Sequence, residues 1–159
     1  MSLYTLADLH LACAVNKPMD IFGGRWQDYM EKIEKRWTAV VSPEDVVVIG
    51  GDLSWGIDFQ EAKADFEYLD RLPGRKIILK GNHDLWSNTM SKMRKFVLEN
   101  GFHEMDFLHN NCYLYEDIGL CGTRGWFYEE DFKEQHDEKV FRRELLRLEA
   151  SLKAADAAG

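Results

Sequence analysis

The chain has 159 residues, of which 45% are hydrophobic and 30% are charged. This composition predicts one globular domain over residues 1–159 and excludes an intrinsically disordered chain. No apolar stretch approaches the roughly 20 residues of a transmembrane helix, so no membrane partner is expected. The formal charge of −8 disfavours a nucleic-acid partner without excluding one, because non-specific binding of nucleic acid needs clustered cations.

The N-terminus and the cysteines predict a cytoplasmic location. Residues 1–7 carry no basic segment of the kind that opens a secretory signal peptide. The three cysteines, Cys13, Cys112 and Cys121, are odd in number and show no CxxC spacing, which is typical of reduced thiols.

Short apolar runs alternate with helical patterns along the first 100 residues. The runs at 3–7, 46–49 and 76–79 predict buried strands. Apolar residues at helical spacing predict three helices, carrying Trp26, Met30, Ile33, Trp37 and Val40, then Phe59, Ala62, Phe66 and Leu69, then Met90, Met93 and Val97. This alternation is typical of an α/β fold with a mostly parallel sheet covered by helices.

The pattern changes after a helix stop at Asn100-Gly101. Residues 103–123 predict short strands, of which 112–115 and 118–121 are joined by a tight turn at Glu116-Asp117. A last long helix is predicted from an apolar face that consists of Phe141, Leu145, Leu148, Leu152 and Ala155. The opposite face is expected to be solvated and carries Arg142, Arg143, Glu144, Arg147 and Glu149.

A polar cluster follows each of the first three predicted strands. The clusters are Asp8-Leu9-His10, Gly50-Gly51-Asp52 and Gly81-Asn82-His83-Asp84. Because ligands of open α/β sheets bind beyond the carboxyl ends of the strands, we expect the clusters to meet in one crevice. Each cluster alone also fits an ordinary helix cap, turn or loop. Their occurrence together, each after an apolar strand, favours a functional site.

The residue types in these clusters suit divalent metal ions. Carboxylate oxygen and imidazole nitrogen together favour manganese, iron or zinc over calcium. Asp52, in the central cluster, has two carboxylate oxygens and is able to bridge two ions. Gly50, Gly51 and Gly81 allow turns and close approach of the backbone.

The three clusters resemble the first three signature blocks of the calcineurin-like metallophosphoesterase superfamily. A further segment, Gly122-Thr123-Arg124-Gly125-Trp126, resembles a block of one bacterial branch, so the resemblance extends to about residue 126. It implies a metallophosphoesterase-like αββα sandwich.

The resemblance also implies a role for each polar residue of the clusters. Asp8 and His10 would bind a first metal ion, Asp52 would bridge, and Asn82 would bind a second ion. His83 would be the catalytic histidine, and Asp84 would orient its imidazole. The implied activity is hydrolysis of a small phosphomonoester or phosphodiester by a metal-activated hydroxide.

The sequence departs from the family pattern downstream. The family has a later metal-binding histidine and a Gly-His-x-His block, whereas the remaining histidines here are His103, His109 and His136. We expect His136 to be a surface residue, and we expect the fold to be incomplete at its C-terminus. Metal ions should then be fewer and more weakly held, and an exposed sheet edge should favour self-association.

This departure keeps two other functions open. The first is a catalytically impaired scaffold on the same fold that binds a protein partner. The second is a nuclease, which the acidic charge and the lack of a basic stripe disfavour.

Several residues outside the clusters have two interpretations. Arg124, in a glycine-flanked loop, either binds substrate phosphate or forms a structural salt bridge. Trp55 either walls the site or packs in the core, and core packing is favoured for it and for Trp86 and Trp126. Lys17 and Arg25 follow the first cluster, where they are candidates for steering anions.

Overall fold

A computed structural model describes residues 1–17, 19–125 and 135–159 of the chain. They form two compact units, Met1–Phe107 and Leu108–Gly159. Trp126, for which core packing is predicted, lies outside the described residues. Among the helices of the described ranges, none combines the length and the apolar character needed to cross a bilayer.

The first unit contains a parallel sheet whose strands lie in chain order. The strands are β1 (Leu3–Leu6), β2 (Val46–Ile49), β3 (Arg75–Ile78) and β4 (Met105–Phe107), in the order β1-β2-β3-β4. Leu6 pairs with Ile49, and Ile49 pairs with Ile78, so β1, β2 and β3 end at the same level. This register places the loops that follow these strands side by side.

Helices connect the strands in the predicted α/β alternation. They are α1 (Tyr29–Val40), α2 (Phe59–Asp70) and α3 (Met90–Glu99), and two 3-10 turns, Met19–Phe22 and Gly24–Trp26, precede α1. The first helix was expected to include Trp26, but it begins at Tyr29. Asp28 has a left-handed φ of 51°, which an α-helix cannot accommodate. Gly101 has a φ of 75° and ends α3 as predicted.

Aromatic packing fills the core of the first unit. Phe66, fully buried on α2, lies with its ring 5.1 Å from the ring of Trp86 and 5.2 Å from that of Phe96. Fully burying a side chain of this size stabilises the fold by roughly 1.5–3 kcal/mol. The predicted core position of Trp86 is confirmed, and its burial anchors the segment after β3.

The second unit combines a hairpin with a long helix. The strands β5 (Tyr113–Tyr115) and β6 (Ile118–Leu120) pair antiparallel, and Glu116 in the turn has a φ of 53°. The helix α4 covers Gln135–Ala158. The predicted hairpin is therefore confirmed, and the exposed position of His136 at the start of α4 is also confirmed.

The predicted division of α4 into an apolar buried face and a charged solvated face is wrong at Glu144 and at two leucines, whereas Arg142, Arg143 and Glu149 are exposed as predicted. Glu144 is buried, where its carboxylate accepts hydrogen bonds from Thr123 and Arg147, and Ser151 is buried as well. Leu145 and Leu152 are half exposed. The Ser151 hydroxyl donates to the Asn111 carbonyl at 2.6 Å, so this face satisfies polar groups that leucine would leave unpaired.

Candidate metal centre

Three loops follow the strands β1, β2 and β3 and build the candidate site. We call them loop 1 (residues 7–17), loop 2 (residues 50–58) and loop 3 (residues 79–89). Loop 1 runs beside loop 2, because the N–H of Asp8 donates to the carbonyl of Gly51 at 3.0 Å. One step further, the N–H of His10 donates to the carbonyl of Asp52 at 2.9 Å. The parallel hydrogen bonding of the sheet thus continues past the strand ends.

Glycines bring loops 2 and 3 into backbone contact. Gly51 has a φ of 106°, and a Cβ atom there would lie 2.6 Å from the Cα atom of Gly81. A Cβ atom on Gly81 would lie 2.0 Å from Oδ1 of Asp52. Only glycine permits this approach, so the expected role of the glycines is confirmed at both positions.

Asp8, His10 and Asp52 converge as the sequence predicts. One ligand atom from each lies within 4.8 Å of the other two, and Nε2 of His10 lies 3.7 Å from Oδ1 of Asp8. Asp52 is buried, whereas Asp8 is exposed. The group therefore opens to solvent on the side of Asp8.

All three residues have left-handed backbones. The φ angles are 57° at Asp8, 46° at His10 and 51° at Asp52. Such angles are uncommon outside glycine, and residues held in them concentrate at functional sites. The three side chains therefore reach their positions only because the loops hold the backbone in an unfavourable conformation.

The donor set fits a divalent cation. Nδ1 of His10 is buried and has no hydrogen-bond partner among the residues that the structure describes. A divalent cation would give imidazole nitrogen and carboxylate oxygen a shared partner. Oxygen and nitrogen donors of this kind suit manganese, iron or zinc.

Loop 3 contributes His83 next to this group. The backbone N–H of His83 donates to Oδ1 of Asp52 at 2.9 Å, and its ring centroid lies 5.8 Å from that of His10. His83 is exposed, so its imidazole is accessible to a ligand. Asn82 precedes it on the same loop and is also exposed, and its role as a ligand stays a prediction.

Asp84 does not have the contacts expected of a residue that orients His83. It is 1% exposed, and its carboxylate accepts five hydrogen bonds of 2.7–3.2 Å. The donors are the backbone N–H groups of Gly81, Asp52, Leu53 and Ser54 and the indole of Trp86. A carboxylate has about four lone-pair positions, so these donors saturate it. Asp84 instead fastens loop 3 to loop 2.

Burial and hydrogen bonding act in opposite directions on Asp84. Burial raises the pKa of its carboxyl, while the bonds from Gly81, Ser54, Trp86 and Leu53 lower it, and the net direction is upward. The saturated carboxylate therefore stabilises the loop arrangement at a cost in desolvation.

Trp55 lies at the site, contrary to the favoured expectation of core packing. Its ring stacks on His10, with centroids 4.7 Å apart and planes at 18°, and lies 5.1 Å from the ring of His83. The ammonium of Lys17 lies 4.8 Å from the centroid of the Trp55 ring. Trp55 thus forms a wall against both histidines, and a cation from loop 1 contacts it.

Two supporting residues were not identified from the sequence. The hydroxyl of Tyr29 donates to the carbonyl of His10 at 2.7 Å. Asp65, fully buried on α2, accepts from the N–H of Cys13 at 2.7 Å and from the hydroxyl of Ser54. Asp65 stands between apolar residues on the core face of α2, and a carboxylate in that position could have been recognised from the sequence as a buried, hydrogen-bonded group. The sequence around Tyr29 contains no comparable indication.

Burial near loop 1 shifts the pKa values of Tyr29 and Cys13. Desolvation, followed by the charge of Asp65, raises the pKa of Tyr29 to about 12. Desolvation and the hydrogen bond to Asp65 raise the pKa of Cys13 to about 12. Both groups are therefore protonated at neutral pH and act as hydrogen-bond donors or neutral contacts.

Arg124 belongs to the second unit. It follows β6 and is partly buried. Its role in binding phosphate stays a prediction.

The fold and the group of three candidate ligands agree with the comparisons to known proteins. The family model described as calcineurin-like phosphoesterase matches residues 1–151, so the chain belongs to this family of metallophosphoesterases. The metallophosphoesterase-like α/β fold expected from the motifs is thereby confirmed.

One solved structure shares the fold. It is a protein of unknown function, AQ665, from Aquifex aeolicus, with 18% sequence identity and a TM-score of 0.56. The match covers 95% of the present chain and 75% of that chain. At this identity the likeness concerns the fold alone. None of the curated proteins matches the present chain.

Proposed function

We propose that this chain is a metal-dependent phosphoesterase that hydrolyses a small phosphomonoester or phosphodiester. The observation that carries the proposal is the convergence of Asp8, His10 and Asp52, with ligand atoms within 4.8 Å of one another. Membership of the calcineurin-like phosphoesterase family supports the same reaction class.

The metal site would be built on loops 1 and 2. Asp8, His10 and Asp52 would hold a first divalent ion, and Asp52 and Asn82 would contribute to a second. A divalent ion held by these residues would supply Lewis acidity, which lowers the pKa of water and polarises a phosphoryl oxygen. Manganese, iron and zinc all fit these donors.

The protein's own side chains complete the proposed mechanism. His83 is exposed beside Asp52, where its imidazole can donate a proton to the leaving oxygen or a hydrogen bond to the phosphate. Trp55 holds the His10 ring by stacking and keeps water from that face. Lys17, over the Trp55 ring, supplies a cation for a phosphate oxygen, and Arg124 is a second candidate for that role.

A cytoplasmic location is part of the proposal. The three cysteines Cys13, Cys112 and Cys121 are all free thiols in the structure, which suits a reducing compartment.

The test is hydrolysis of p-nitrophenyl phosphate and bis-p-nitrophenyl phosphate with added Mn²⁺. The informative variants are Asp52→Asn, because asparagine tolerates the left-handed backbone at this position, and His83→Gln. Both should lower turnover by at least about 100-fold. Asp106→Asn, which removes a carboxylate on β4 outside the site, is the matched control and should retain full activity.

Two outcomes would contradict the proposal. Undiminished hydrolysis by both Asp52→Asn and His83→Gln would place the activity elsewhere. Absence of turnover with manganese, iron and zinc alike, on both substrates, would favour the non-catalytic scaffold.

A further inference from the structure

A cationic cleft lies on α1, apart from the three ligand residues. It has a volume of about 420 Å³ and is lined by Arg25, Trp26, Tyr29, Lys32, Ile33 and Arg36. We call it the α1 cleft. Its size lies within the range of pockets that bind small molecules.

The rim of the α1 cleft is positive on an acidic protein. Arg25, Lys32 and Arg36 are exposed, and none of the ion pairs found in the described ranges includes them. The Lys32 ammonium donates to the carbonyl of Gln27. Among the described residues, no acidic side chain lines the cleft. Three cations that have no carboxylate partner within the described ranges, in a chain of formal charge −8, favour an anionic ligand.

The floor of the α1 cleft is apolar. The rings of Trp26 and Tyr29 lie 5.8 Å apart at 72°, an edge-to-face arrangement, and both residues are partly buried, as is Ile33. An aromatic face stacks on planar rings without regard to their substituents, and because these two rings are nearly perpendicular, one of them at a time can lie against a planar ligand. A phosphate ion alone would leave this apolar floor unused.

The α1 cleft and the candidate metal centre share one residue. Tyr29 lines the cleft, and its hydroxyl donates to the carbonyl of His10 at 2.7 Å. A ligand in the cleft therefore contacts a side chain that supports loop 1.

We propose that the α1 cleft is a binding site for a mononucleotide. The planar base would lie against Trp26 and Ile33, and the phosphate groups would lie among Arg25, Lys32 and Arg36, whose guanidinium groups suit bidentate contacts with phosphate oxygens. Long nucleic acid fits less well, because the cations form one cluster rather than a stripe along a backbone path. Nucleotide binding here does not require the metal centre to be active.

The test is calorimetric titration of the full chain with ADP in low-salt buffer containing EDTA, which removes any contribution of bound metal. Adenosine and inorganic phosphate should each bind at least about tenfold more weakly than ADP, because each provides half of the contacts. Arg36→Gln and Trp26→Leu should each weaken ADP binding by about tenfold.

Lys35→Gln is the matched control, because Lys35 is exposed on α1 next to Arg36 and does not line the cleft. It should change the affinity for ADP less than about twofold. Asp52→Asn should also leave ADP affinity unchanged, so a failure of hydrolysis and a failure of nucleotide binding remain distinguishable. Circular dichroism of Arg36→Gln and of a second rim variant, Lys32→Gln, checks that lost binding does not reflect lost structure.

Four results would overturn the proposal. They are absence of ADP binding, ADP binding equal to that of inorganic phosphate, equal weakening by Arg36→Gln and Lys35→Gln, and tighter binding of a single-stranded oligonucleotide than of ADP. The second would indicate a plain anion site, and the last would indicate a nucleic-acid surface.

Discussion

The buried carboxylate of Asp84 accepts a hydrogen bond from the backbone N–H of Asp52 at 2.9 Å. The contact joins loop 3 to the loop that carries the central candidate ligand. The same carboxylate also accepts from the backbone N–H of Gly81 in loop 3. The backbones of loop 2 and loop 3 next to Asp52 therefore both depend on one buried charge. The geometry of the candidate metal centre is thus set by a residue that lies behind it.

We expect Asp84→Asn to reduce the stability of the fold more than substitution of a candidate catalytic residue would. The amide offers one acceptor oxygen, and its NH2 group would face backbone N–H donors in the interior. The free energy of unfolding should fall by about 3 kcal/mol, which corresponds to a Tm lower by roughly 6–12 °C for a chain of this size. Thermal unfolding measures this change.

Asp106→Asn is the control for that measurement. Asp106 pairs with Arg75 at 2.5 Å, but 38% of its side chain is exposed, so the loss should be below about 1 kcal/mol. Equal effects of the two substitutions would show that Asp84 does not fasten the loops.

Alanine at Gly81 should disrupt the contact between loops 2 and 3. The new Cβ atom would overlap Oδ1 of Asp52, so the loops must separate and displace this candidate ligand. The expected loss is about 2–4 kcal/mol with a loss of metal binding. A Cβ atom at Gly24 would have no atom of the described residues within 4 Å, so Gly24→Ala should be nearly neutral. A Gly81→Ala variant with unchanged Tm and metal affinity would contradict this account.

Manganese binding should depend on the three converging residues. We expect Asp8→Asn, His10→Asn and Asp52→Asn each to weaken binding at least tenfold, because loss of a residue that only supports a metal ligand already costs about 10–100-fold. Asparagine is chosen because all three positions have left-handed φ angles that it tolerates. Electron paramagnetic resonance of free Mn²⁺ measures the affinity. Two tightly bound ions per chain would contradict the expectation of fewer and weaker metal sites.

Trp55 should report metal binding through its fluorescence. Its ring lies 4.7 Å from His10, so a paramagnetic ion at His10 should quench its emission. We expect Mn²⁺ to quench the parent chain more strongly than Trp55→Phe, and EDTA to reverse the effect. Equal quenching in both chains would place the bound ion away from Trp55.

Cys13 should react slowly with iodoacetamide although it is exposed. Its pKa is raised from 9.0 to about 12, so the thiolate fraction at pH 8 is about a thousandfold smaller than that of an ordinary thiol. The sign follows from burial of the thiol first and from the neighbouring Asp65 second, because both disfavour the thiolate charge. Mass spectrometry of the Cys13 peptide gives the rate, and the same peptide in urea should react at the normal rate. A fast reaction in the folded chain would disprove the raised pKa.

Local sequence patterns predicted the strands and the three loops well. The apolar runs that became β1, β2 and β3 differ from the observed bounds by a single residue at most at each end, because buried parallel strands need continuous apolar side chains. The polar clusters came next in the chain, so the parallel order of the strands was enough to bring Asp8, His10 and Asp52 together.

The errors concern residues whose partners are distant in the chain. Asp84 was assigned to His83, its neighbour, whereas its carboxylate is occupied by donors that include Leu53, 31 positions away. Glu144 was assigned to solvent from helical periodicity, whereas Thr123 and Arg147 satisfy it in the interior of the second unit. Periodicity describes which residues share a face, but it does not show which polar groups that face must satisfy.

The sequence by itself determined the α/β class, the strand-end position of the candidate ligands and the need for glycine near Asp52, since these follow from hydrophobic runs and neighbouring residues. The tertiary structure decided what each polar side chain touches: Asp84 fastens two loops, and Trp55 stacks on His10 instead of filling the core. The physical reason is that a buried polar group must find a partner wherever the fold brings one. That partner is set by the packing of separate loops and not by the order of residues along the chain.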